Sequence, residues 1–174
     1  MSRRGKTIFL IFSIVVPFLL YSVYYYSRVI KNAAYKASEL ESISFKYGLG
    51  DSLINQYNSE TGNYQYINTN DSLVRKNVHL SEEDMLYLHR KAAQLGFWDF
   101  PSEIVPPEKV EGRNSPRYFL QFNYKRKSKQ MLFDLSYEEN QKLKDAARTL
   151  IQEVDKTIHD AEYRQTKTQN DAQK

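Results

Sequence analysis

Apolar and polar residues change their period several times along this chain, and each change predicts an element. From Thr7 to Tyr26 no charged residue interrupts a run of 20 positions, TIFLIFSIVVPFLLYSVYYY. At a rise of about 1.5 Å per residue this run reaches roughly 30 Å, the thickness of a bilayer's hydrocarbon core. The spacing predicts one transmembrane helix over 7–26. Its terminal tyrosines suit the headgroup interface, where the ring lies in hydrocarbon and the hydroxyl meets water. The run is long, ends in bulky rings and lacks a clean A-x-A site nearby, so it reads as a retained signal anchor rather than a cleaved leader.

Residues 27–40 contain neither Pro nor Gly and place Val29, Ala33, Ala37 and Leu40 on one narrow stripe, which predicts a helical neck continuing the anchor. That stripe is also a candidate homo-oligomer contact.

Period two begins with Ile43, Phe45 and Tyr47 against Ser42, Ser44 and Lys46. Leu53–Tyr57 and Tyr64–Ile67 flank a connection ending in Gly62, which reads as a hairpin, and 73–78 is a further short strand. Ser81 followed by Glu82, Glu83 and Asp84 is a helix start, with Met85, Leu88, Ala92 and Leu95 as its apolar stripe and Gly96 as its stop. After a Pro-rich loop, Tyr118, Leu120, Phe122 and Tyr124 alternate, then Met131, Phe133 and Leu135. Ser136-Tyr137-Glu138-Glu139 has the form of a capping box and predicts a second helix whose stripe is Leu143, Ala147, Leu150, Ile151, Val154 and Ile158. Residues 163–174 are almost wholly polar and read as a disordered tail.

Short loops between strands imply a mostly antiparallel sheet. The fold class is therefore α+β: an N-terminal transmembrane helix, then a two-layer domain over 41–162 with two helices on one sheet face.

Charge changes the picture more than composition does. The 174 residues include 25 Lys plus Arg and 21 Asp plus Glu, a net +4 that suggests a binder of polyanions such as nucleic acid. However, Arg3, Arg4, Lys6, Arg28, Lys31 and Lys36 all lie within the first 36 residues, which contain no acid. The other 19 bases face all 21 acids, so the remainder is mildly acidic and nucleic acid is not an expected partner. The basic end at 1–6 is expected in the cytoplasm, with the domain on the extracytoplasmic side.

With no cysteine, disulfides, thiol nucleophiles and thiolate metal sites are excluded. His79, His89 and His159 have no metal-ligand spacing, no nucleophile elbow or phosphate-binding loop is present, and no cofactor is expected. Lys125, Arg126, Lys127 and Lys129 crowd one hairpin tip and are candidate contacts for an anionic partner, which Arg113 and Arg117 could join. Trp98 and Phe100, beside the Pro-rich loop, are candidate apolar contacts.

These features read as a membrane-anchored, non-enzymatic interaction module. It is tethered in lipid by residues 7–26 and its partner is an envelope polymer or another protein. Two alternatives stand beside it: an envelope-associated hydrolase using Asp99, a carboxylate between aromatics, as its acid, and a structural subunit of a membrane complex.

Overall fold

The computed structural model describes residues 3–32, 35–107 and 114–171. The chain divides into two units, Met1–Ala34 and Tyr35–Lys174.

The first unit holds helix α1, Arg3–Asn32, with Pro17 inside it. Within α1 the described side chains are those of residues 9 and 12–26, and the large apolar ones, including Phe9, Phe12, Ile14, Phe18 and Leu20, are exposed. Among the described residues no helix is long and apolar enough to cross a membrane. Side chains 7, 8, 10 and 11 of the expected span lie outside those described.

The second unit is an α+β domain around one seven-stranded sheet. Its strands are β1 (Leu40–Leu49), β2 (Ser52–Asn58), β3 (Asn63–Ile67), β4 (Leu73–Asn77), β5 (Glu103–Ile104), β6 (Pro116–Tyr124) and β7 (Ser128–Asp134). They run in the spatial order β4-β3-β2-β1-β6-β7-β5. All pairings are antiparallel except that of β5 with β7. β5 carries no period-two signal because it is only two residues long.

Two helices complete the domain, α2 (Glu82–Gln94) and α3 (Gln141–Asp171). Ser81 caps α2 with a reciprocal box to Asp84, and Gly96 at φ 77° ends it. The core joins Leu88 and Ala92 of α2 and Ala147, Leu150, Val154 and Ile158 of α3 to the sheet residues Ile43, Phe45, Tyr57, Leu120, Phe122, Met131 and Phe133. Those sheet residues alternate along their strands and are paired by register, Phe45 with both Tyr57 and Leu120. One face is thereby packed, and the other is left open to solvent.

Three expectations require correction. The neck is not helical to its end: Ala37–Glu39 is a 3-10 turn and Leu40 already pairs with Tyr124, while residues 33 and 34 lie outside those described. Strand pairing and the stacking of Tyr35 on Trp98, centroids 4.6 Å apart, override local helix propensity here. The predicted capping box is not one. Ser136 gives its hydroxyl to Asp134 at 2.6 Å, and α3 starts five residues later behind Asn140, whose side chain accepts from the Leu143 amide at 3.1 Å. A buried carboxylate needs its donors more than an exposed helix end does, because Asn140 or water can serve the latter.

The expected tail is helical through Asp171. Its polar side chains bond to the domain: Arg164 to Asp84 at 2.6 Å and the Gln165 amide to the His79 carbonyl at 2.7 Å. Composition alone does not reveal such anchoring.

Candidate functional site

The open sheet face is the candidate site. Its residues are the polar partners in the alternation that builds the core. Lys46 of β1 stands opposite Gln56 of β2, Gln56 opposite Gln65 of β3, and Gln65 opposite Arg75 of β4. On the other side Lys46 pairs with Phe119 of β6, and the next row joins Asn58, Ser44 and Gln121. A single transverse row thus reads Arg75, Gln65, Gln56, Lys46, Phe119.

These side chains line a depression of ≈ 600 Å³. No acidic side chain lines it among the described residues, whereas Lys46 and Arg75 do; Lys76 borders it, but by register its side chain shares the face of Tyr64. Lys76 is engaged by Glu162 of α3. Lys46 and Arg75 make no ion pair among the described residues. Lys46 lies over the Phe119 ring at 5.8 Å, and the Arg75 Nε donates to Gln65 at 3.1 Å. Further along, Gln121 donates to Asn123 at 2.7 Å and Asn123 to Ser42 at 2.9 Å. The Gln56 amide has no hydrogen-bond partner among the described residues, which leaves donors and an acceptor facing solvent. At the β3–β4 end the same face turns apolar: Ile67 pairs with Leu73, and both are exposed along with Ile54.

One corner of the face is closed by a buried carboxylate. Asp134 is 2% exposed and receives Arg117 Nε at 2.8 Å and Ser136 N at 2.9 Å, together with the hydroxyls of Ser115 and Ser136. Burial opposes its ionisation, but the serine hydrogen bonds and Arg117 outweigh that effect. They hold the carboxyl well below the ordinary range. Arg117 also bonds Asp51, which ties the β1–β2 turn to β6. It therefore belongs to this corner and not to the hairpin tip; Arg113 lies outside the described residues.

The residues singled out from sequence fall elsewhere. Trp98 and Phe100 are core residues, 6% and 8% exposed, and present no surface. Trp98 meets Tyr35, His89, Phe122 and Tyr124 edge or face. Of the tip, Lys125 and Arg126 are exposed, and Lys127 and Lys129 are half-buried. Arg126 grips Glu39 with two bonds, 2.8 and 3.0 Å. Lys127 covers the Tyr35 ring at 4.1 Å, and Lys129 donates to the Phe100 carbonyl. Much of the basic tip is a clasp that holds residues 35–39 on the domain.

Asp99 is exposed in the 3-10 turn Phe97–Asp99. His89 bonds the Tyr124 hydroxyl at 2.9 Å, and burial pushes its pKa down. His159 faces Asp155 of its own helix at 3.6 Å, and His79 lies beside Gly62. Among the described residues no group of three or more acids and histidines is placed to hold a metal.

No protein-family model, curated protein or solved structure matches the chain.

Lys46, Gln56, Arg75 and Gln121 were not recognisable as a site in the sequence. Each is an ordinary outward strand position, and only the register of five strands, β4-β3-β2-β1-β6, places them on one surface.

Proposed function

We propose that this protein is a membrane-anchored, non-enzymatic binding module. Residues 7–26 hold it in the bilayer with the N-terminus in the cytoplasm, and the α+β domain meets its partner on the extracytoplasmic side through the open sheet face. The observation that carries this reading is the character of that face: a polar depression without an acidic lining residue among the described residues, where a two-carboxylate hydrolase would need paired acids. The uncharged run at 7–26 and the exposed apolar side chains of α1 support the anchor, because such a surface demands lipid or protein cover.

The test is site-specific photo-crosslinking in intact native membranes. A photoreactive residue at Gln56 or Gln121 should yield a discrete adduct that the same residue at Lys142, on α3, does not. Equal labelling from all three positions sinks the assignment of the face. Protease added outside intact cells should digest the domain; digestion only after the membrane is breached reverses the orientation.

A further inference from the structure

The row of amides and cations on the open face points to a class of ligand, and this step rests on the reading of that face as the binding surface. We infer that it binds a hydroxyl-rich polyanion, a saccharide or polyol chain that carries carboxylates or phosphates. Lys46 on β1 and Arg75 on β4 are the two cations of this row. They lie on the same face of the sheet, three strand spacings or about 14 Å apart, and neither has a carboxylate partner among the described residues. A compact ion reaches only one of them. An extended anion reaches both, and in crossing from one to the other it passes over Gln56 and Gln65.

Those intervening residues decide what kind of anion fits. Gln65 already donates to the Ile54 carbonyl at 3.1 Å and accepts from Arg75, so the amide left for a ligand is that of Gln56, whose two donors and one acceptor match hydroxyl groups, which both give and accept hydrogen bonds. A bare polyacid leaves the Gln56 acceptor unpaired. Nucleic acid needs rings for its bases to stack on. The aromatic side chain on this face is Phe119, half-buried beneath Lys46, while Tyr57 and Tyr64 turn into the core. A protein partner needs apolar or aromatic anchors at the centre of the contact. Here the apolar residues Ile54, Ile67 and Leu73 stand at one end, and the centre is polar.

The experiment uses the full chain in detergent micelles and measures binding of five probes at low and high salt. They are polygalacturonate, a polyglycerol phosphate, neutral dextran, polyglutamate and oligothymidine. The expected result is salt-sensitive binding of polygalacturonate or polyglycerol phosphate, whichever matches the natural charge. Binding of dextran and polyglutamate should be far weaker. The Lys46→Glu/Arg75→Glu variant should bind roughly tenfold more weakly, the combined loss of two exposed ion pairs. Lys142→Glu, away from the face, should bind as the wild type does. If the double charge reversal lowers the thermal midpoint, Lys46→Gln/Arg75→Gln replaces it, and Lys46→Arg/Arg75→Lys should retain binding.

Dextran bound as tightly as polygalacturonate removes the charge requirement, and polyglutamate bound as tightly removes the hydroxyl requirement; either overturns the proposal. So does tighter binding of oligothymidine, or binding that Ile54→Asp abolishes while the charge reversal leaves it intact. If no probe binds but Gln56 still crosslinks a partner in membranes, the ligand class is wrong and the binding face stands. If neither occurs, both readings fail.

Discussion

Asp134 shows how one residue can hold the end of a sheet. Its carboxylate is buried where the start of β6 meets the end of β7 and is bonded by Arg117, Ser115 and Ser136. Asp134→Ala leaves Arg117 with only the exposed Asp51 as a partner and should destabilise the domain by about 2–4 kcal/mol in denaturant titration, a little below the roughly 3–5 kcal/mol for breaking a fully buried pair. The pH dependence has a definite sign. The folded-state pKa lies below that of the unfolded chain, so the stabilisation is complete above the ordinary carboxylate value of about 4 and fades as pH falls below it. The wild type should therefore lose its advantage over Asp134→Ala between pH 5 and strong acid, at roughly 1.4 kcal/mol per unit at most. An advantage unchanged at pH 2 would contradict the network. Gly48, at the irregular end of the β1–β2 ladder, gives a simpler case. A Cβ there would stand 1.9 Å from the Ser52 carbonyl oxygen, an impossible contact with backbone. Gly48→Ala should lower the unfolding midpoint by several degrees, corresponding to roughly 2 kcal/mol or more.

At the scale of elements, the β6–β7 hairpin has two jobs that its sequence does not distinguish. Its strands carry core residues on one face, and its basic tip fastens the segment that enters β1. The Arg126–Glu39 pair is part of that clasp, with side chains 55% and 20% exposed. Exposed pairs contribute little, so Arg126→Glu should lower stability by only about 0.5–1 kcal/mol, and the swap Glu39→Arg/Arg126→Glu should recover most of it in a double-mutant cycle. Recovery of nothing would mean that the two side chains act through other neighbours. The identity of most elements was legible in the sequence because a half-buried strand and an amphipathic helix each impose a period on the chain. Thus β1, β2, β3, β6 and α2 lie close to their predicted places. The start of α3 was not legible, since Ser136 has the composition of a cap and only the fold reveals Asp134 as its stronger claimant. The helical end of α3 was hidden for a related reason: its bonds to Asp84 and His79 cross about 80 residues of chain.

The whole molecule joins the uncharged run 7–26, which we propose as an anchor, to an α+β domain that the structure shows. Among the described residues, the unit 35–174 contains the buried core cluster and the seven strands of the sheet. Expressed without residues 1–34, this domain should remain soluble and unfold in one cooperative transition, while the full chain should sediment with membranes and resist alkaline extraction. A full chain that washes off in carbonate would remove the anchor from the proposal.

By itself the sequence determined the membrane-length apolar run, the three basic residues on each of its flanks, the α+β class and most of the inward-facing residues, because each is a local or periodic property that burial or lipid imposes on neighbouring positions. Only the tertiary structure decided what the polar residues do. It sent Trp98 and Phe100 into the core, laid Arg126 and Lys127 against Glu39 and Tyr35 as a surface clasp, and assembled Lys46, Gln56, Gln65 and Arg75 into one surface. Such a surface depends on strand register and order, and these are fixed by hydrogen bonds between segments far apart in the chain.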